Sequence, residues 1–235
     1  MAEPLTPLLK QIPLDLGARR AVGRQDFQIG SSNIAAVSLI DRWPDWPAPL
    51  LIISGPPASG KSHLAAVWAE KSNAEMIRPE MLLSRTAEQI AEAGKHLVLD
   101  GLDPWLGDKQ AETTLFHLYN IFWSEKRNIL ATMRMTPTQT GFAVADLASR
   151  VRSSLTAQIQ PPDDMLLASV LIKLFTDRQL SVTNDVIQYV LPRMERSFAA
   201  AHDIVDRADK LALSQKRGVS VPLMRHVMAE IQESN

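Results

Sequence analysis

The sequence predicts an α/β fold, a parallel sheet with helices on both faces, followed by a small all-helical lid domain. Three observations carry this. Short, continuous apolar runs at Leu50-Leu51-Ile52-Ile53, Leu97-Val98-Leu99 and Ile129-Leu130-Ala131 read as strands buried on both faces, the pattern of a parallel sheet. Segments with helical spacing alternate with those runs, which implies right-handed crossovers and ligands at the carboxyl ends of the strands. After Pro161-Pro162 only helical patterns remain.

The elements follow in order. The first forty-odd residues mix apolar groups with turn residues, and Arg42 to Pro49 is proline-rich punctuation before the first strand, Leu50 to Ser54. Lys61 to Ser72 carries Leu64, Val67 and Trp68 at helical spacing. Ala74 to Ile77 is a second strand, with a helix near Thr86 to Ala93 behind it. His96 to Asp100 is a strand ending on a carboxylate, Ala111 to Glu125 a helix, and Asn128 to Thr132 a strand. A short helical stretch then precedes the strand Ala157-Gln158-Ile159. Four helices close the chain, at Asp163 to Thr176, Asn184 to Met194, Phe198 to Gln215 and Val221 to Gln232. In the last of these Pro222 falls where the missing N–H costs nothing. The expected division is an N-terminal segment over 1–22, an α/β domain over 23–160 and the lid over 161–235.

Composition removes whole classes of function. With no cysteine among 235 residues there are no disulfides, thiolate metal sites or thiol nucleophiles, and the five histidines show no metal-ligand spacing. Charged residues at 22% and apolar residues at 46% are globular values. No apolar run is long enough to span a membrane and no basic n-region opens the chain, so a cytoplasmic protein is expected. A formal charge of −1, balanced in both halves, argues against autonomous nucleic-acid binding, whose non-specific affinity comes from neutralising phosphates.

Gly55-Pro56-Pro57-Ala58-Ser59-Gly60-Lys61-Ser62 fits G-x-x-x-x-G-K-[ST] and lies between a predicted strand and a predicted helix, the context this phosphate loop requires. Gly55, Pro57, Ala58, Ser59, Gly60 and the helix start through His63 would surround the phosphates of ADP or ATP, with backbone N–H groups donated by all of these except Pro57. Lys61 would neutralise their oxygens, and Ser62 with Asp100 would hold Mg²⁺. Hydrolytic enzymes of this type place a second acid directly after the first. Gly101 stands there, and Asp103 is on a different register, so intrinsic hydrolysis is expected to be weak or absent.

Four segments, in order, resemble the AAA+ ATPases of the DnaA-related initiator family. They are Phe27 to Asn33, similar to the opening box near the adenine; the phosphate loop with Asp100; Asp146-Leu147-Ala148-Ser149-Arg150, similar to the arginine-finger box; and Glu195-Arg196, similar to the second sensor. The resemblance runs from about residue 25 to the C-terminus. It implies that Phe27 and Ile29 lie by the base, Thr132 at the first sensor, Arg196 over the phosphates, and that Arg150 acts in trans on a neighbour's nucleotide. Arg152 is expected to be solvated.

Because the chain stops after the lid and is not basic, the resemblance implies, as an expectation, the branch of the family that inactivates the DnaA initiator. That branch carries an N-terminal peptide for the replicative sliding clamp, the polymerase III beta subunit. Gln11-Ile12-Pro13-Leu14-Asp15-Leu16 is similar to it at Gln11, Ile12, Leu14 and Leu16, while Pro13 and Asp15 depart. Expected partners are therefore DnaA and the clamp, with DNA reached only through the clamp and a homo-oligomer left open. The rival expectation is a clamp-independent AAA+ loader or adaptor. Trp43, Trp46, Trp68 and Trp123 are expected to pack in the core, Trp105 to be either core or an exposed contact, with core favoured, and Lys126-Arg127 to complement a helix C-terminus.

Overall fold

A computed structural model describes residues 29–233. Gln11, Ile12, Leu14, Asp15, Leu16 and Phe27 lie outside the described residues. Five strands, β1 (Leu50–Ser54), β2 (Glu75–Ile77), β3 (Leu97–Leu99), β4 (Ile129–Met133) and β5 (Leu155–Gln158), form one parallel sheet in the order β2-β3-β4-β1-β5. The register pairs Ser54 with Met133 and with Gln158, so β1, β4 and β5 end level at their carboxyl ends.

The continuous apolar runs split by parity between two cores, since successive side chains of a strand face opposite ways. Leu50, Ile52, Leu97, Leu99, Ile129 and Ala131 pack under the helices α3 (Met81–Ser84), α4 (Ala87–Ala91), α5 (Lys109–Ser124) and α6 (Ala145–Ser153). Leu51, Ile53, Val98 and Leu130 pack under α1 (Ile34–Asp41) and α2 (Lys61–Ser72). The lid helices α7 (Asp164–Asp177), α8 (Asn184–Val190), α9 (Phe198–Gln215) and α10 (Val221–Glu233) enclose a third core around Leu171, Phe175, Val186, Val205 and Met224. Among the described residues no helix is long and apolar enough to cross a membrane.

Caps decide where several helices begin. Asp108, Asp163 and Ser197 accept from the amides of Ala111, Leu166 and Ala200 at 2.8, 2.8 and 3.1 Å, and Thr86 with Gln89 forms a capping box. α1 and α3 have no counterpart in the sequence reading, and β5 begins two residues earlier than expected, at Leu155.

Two expectations need correction. Trp123 is 54% exposed, not core, because it sits at the open end of α5, stacked on Tyr119. Arg127 does not merely complement its own helix. Its guanidinium lies 4.0 Å from the Phe122 ring centroid and donates to the carbonyls of Lys95, Ala91 and Gly94, tying β4's entrance to the end of α4. Trp43, Trp46 and Trp68 do pack together, with Trp46 and Trp68 stacked at 5.2 Å, and Trp105 packs half-buried against the sheet.

Candidate nucleotide site

The phosphate loop leaves β1 at Gly55 and enters α2 at Lys61. Glycine is required at Gly55 because a Cβ there would lie 2.5 Å from the backbone oxygen of Ile159, just past β5. Gly60, with φ +93°, turns the chain into α2, which begins without a side-chain cap. Its first-turn N–H groups therefore point into the loop, where the helix dipole also favours an anion.

Within the loop the Ser59 hydroxyl is buried with no hydrogen-bond partner among the described residues. A buried hydroxyl left unpaired is costly unless a ligand completes it. With the close-approach glycine and the uncapped helix, it makes these residues fit a nucleotide's phosphates. Lys61 Nζ donates to the carbonyls of Gly55 and Pro56 at 2.8 and 2.6 Å. Burial pushes its pKa below the ordinary lysine value, against the opposing pull of Asp103 and Asp100.

Parallel pairing of β3 with β4 sets Asp100 beside Thr132. Asp100 Oδ1 accepts from the hydroxyl of Thr132 at 2.5 Å and from that of Ser62 at 3.1 Å, and Thr132 Oγ1 accepts the Gly101 N–H at 2.8 Å. Ser62, Asp100 and Thr132 thus form one chain of hard oxygen atoms at the strand ends, the donor type that suits Mg²⁺ with phosphate oxygens. Among the described residues there is no cluster of three His, Cys, Asp or Glu side chains that would offer another metal site.

The lid reaches the loop directly. The Phe198 N–H, at the start of α9, donates to the Ala58 carbonyl at 3.2 Å. Arg196, two residues earlier, is exposed and pairs with Asp164 at 3.1 Å. On the other side, Gly30 stands so close to Leu166 of α7 that a Cβ would lie 3.0 Å from it, and the Ser31 hydroxyl donates to Asp163 at 2.7 Å. The Leu166 amide, with Ser31, holds the Asp163 carboxyl below its usual pKa. Ile29 is half exposed beside this junction, and His63 lies in the first turn of α2.

Arg150 is exposed on α6, with its guanidinium 5.8 Å from the Tyr119 ring centroid of α5. It makes no ion pair among the described residues. Arg152 lies over Phe142 at 5.7 Å.

The fold is similar to domain III of the Thermotoga maritima replication initiation protein DnaA, with a TM-score of 0.75 at 17% identity, covering 89% of this chain and 96% of that one. It is also similar to AMPPCP-bound DnaA from Aquifex aeolicus (TM-score 0.64, 17% identity, 80% and 64% of the two chains). A third likeness is to the Thermotoga maritima RuvB Holliday junction branch migration motor (0.66, 15%, 86% and 69%). At these identities the likeness establishes the fold. Residues 165–228 match the family model described as Hda, lid domain. The chain thus joins a fold of the AAA+ type to a lid that matches the Hda lid model.

The structure brings together Gly55, Pro57, Ala58, Ser59, Gly60, Lys61, Ser62, Asp100 and Thr132. Arg196 stands at the lid's entry and Arg150 on a different helix, α6. One residue was set aside on its register in the sequence, and another went unnoticed. Asp103 lies within electrostatic reach of Lys61 despite its register, because Gly101 (φ +78°) turns the chain back over β4, where Asp103 accepts the Arg134 N–H at 2.7 Å. Glu112 is wholly buried on α5. Its signal was available: an acid in phase with the apolar stripe Leu115, Tyr119 and Phe122.

Proposed function

We propose that this protein is a negative regulator of bacterial chromosome replication initiation. It keeps ADP in its own phosphate loop, is tethered to the DNA-loaded sliding clamp by Gln11 to Leu16, and stimulates ATP hydrolysis by DnaA through Arg150.

The observation that carries this reading is the condition of Arg150. Its guanidinium is exposed and unpaired by any acid among the described residues, yet steadied by an aromatic face at 5.8 Å. A cation presented in this way is available to a neighbour's nucleotide. There it would stabilise charge developing on the γ-phosphate, an effect that reaches about 10³–10⁵ in rate for arginine fingers.

The protein's own loop has the opposite character. Gly101 carries no side chain to orient water beside Asp100, so the bound nucleotide is held as a structural ligand and joins the α/β domain to the lid. Mg²⁺, when bound with the nucleotide, supplies charge neutralisation at the phosphates. Ser62 and Asp100 would hold it, Lys61 would neutralise the phosphates from the loop side, and Phe198 keeps α9 against Ala58.

The test is conversion of DnaA-bound ATP to ADP with clamp loaded on DNA. Stimulation by the full-length protein, its loss in Arg150→Ala, and loss of clamp capture in Gln11→Ala are the expected results. Stimulation undiminished by Arg150→Ala contradicts the reading.

A further inference from the structure

Glu112 has no exposed surface, yet both carboxylate oxygens are engaged by backbone, one from just ahead of its own helix and one from the start of α6. Oε1 accepts the Gly107 N–H at 2.6 Å and Oε2 accepts the Val144 N–H at 2.7 Å. These are short, charge-assisted bonds in a dry setting, where such bonds are strongest.

The two amides belong to segments that matter. Val144 holds the N-cap position of α6 but no side chain caps that helix locally, so its start is fixed from α5 instead. The same helix carries Arg150, and Arg150 lies over Tyr119, about two turns further along α5 than Glu112. α5 therefore grips α6 at both its beginning and its functional end. Gly107, with φ +95°, closes the segment that starts at Asp100 and includes Asp103.

We infer that Glu112 is a positioning residue for Arg150: its carboxylate ties the start of α6 to α5, giving the helix that carries the finger a rigid frame. This rests on the reading of Arg150 as acting in trans on DnaA. Misplacing a reacting group by about 1 Å can cost about 10²-fold in rate, so a buried carboxylate remote from the chemistry is able to set it.

The experiment uses the full-length protein with ATP-DnaA and clamp-loaded DNA. Glu112→Gln preserves shape but sets an NH₂ group against one of the two amides. The maximal hydrolysis rate is expected to fall about tenfold or more, within the range such misplacement produces. The concentration giving half-maximal rate, and ADP affinity, should stay within about twofold, since neither involves α6's orientation. Added to Arg150→Ala, the substitution should cause no further loss, because the two act as a unit. An unchanged maximal rate overturns the assignment, as does a fall matched by equal loss of ADP affinity, which would mark a general structural role. Glu112→Asp, whose shorter arm spans one amide but not both, is expected to lose rate as well; if neither variant folds, the positioning role is overturned in favour of a purely structural one. Where Arg150→Ala abolishes stimulation but Glu112→Gln does not, only the role of Glu112 falls. Where Arg150→Ala changes nothing, the finger reading falls and takes this role with it.

Discussion

The backbone N–H of Phe198 donates to the carbonyl of Ala58 at 3.2 Å, so the first residue of a lid helix is bonded to the phosphate loop itself. Lid and loop are therefore joined through this bond, and what steadies α9 should also steady the loop. Ser197 does this by accepting the Ala200 amide at 3.1 Å. Ser197→Ala is expected to lower stability by about 1 kcal/mol, the usual cost of a lost N-cap, and to weaken ADP binding. Chemical denaturation and an ADP titration check both effects.

Gly55 sits where the loop passes Ile159. Gly55→Ala forces a methyl to 2.5 Å from a backbone oxygen, which has no side-chain freedom to yield. The variant is expected to lose roughly 1–3 kcal/mol, typical of overpacking, and to show no rise in melting temperature with ADP, whereas the native protein is expected to show one. Gly141→Ala, which meets nothing within 4 Å, is the control and should leave both unchanged. Differential scanning fluorimetry with and without ADP reads the comparison.

His96 is buried among Trp43 and Trp68, and its Nδ1 accepts the Asn128 N–H at 3.1 Å, so the folded protein needs the neutral ring. Burial first, then the charges of Lys95 and Arg127, push its pKa below 6.5. The unfolded chain thus takes up a proton at higher pH than the folded one. This contribution to stability is complete above about pH 6.5, declines as pH falls below it, and levels off beneath the folded value. His96→Gln is expected to show a flatter dependence between about pH 7 and 5 when unfolding free energies are measured across that range.

Much of the fold was legible in the sequence because its strands are unbroken apolar runs and its phosphate loop has a fixed spacing. Residues joined by local spacing, such as Gly60, Lys61 and Ser62, were found together. Contacts made by folding were not. The pairing of Arg196 with Asp164, the return of Asp103 toward Lys61, and the Phe198–Ala58 bond depend on chain reversals that no local period encodes. Helix α1 escaped because its apolar residues follow a turn-rich stretch, and α3 because four residues are too few to show a period. Trp123 was misplaced because an aromatic residue on an amphipathic helix reads as core, whereas this one stands at the helix's open end beside the Tyr119–Arg150 contact.

The proposed action of Arg150 is on a nucleotide held by another protein. Its most direct test is a single-turnover measurement of ATP hydrolysis on DnaA, with clamp-loaded DNA present, comparing the native protein with Arg150→Ala while monitoring its binding to DnaA. Binding is expected to survive while the stimulated rate falls to the unstimulated level, a loss of about 10³–10⁵-fold. A rate that persists in Arg150→Ala while binding is intact would contradict it.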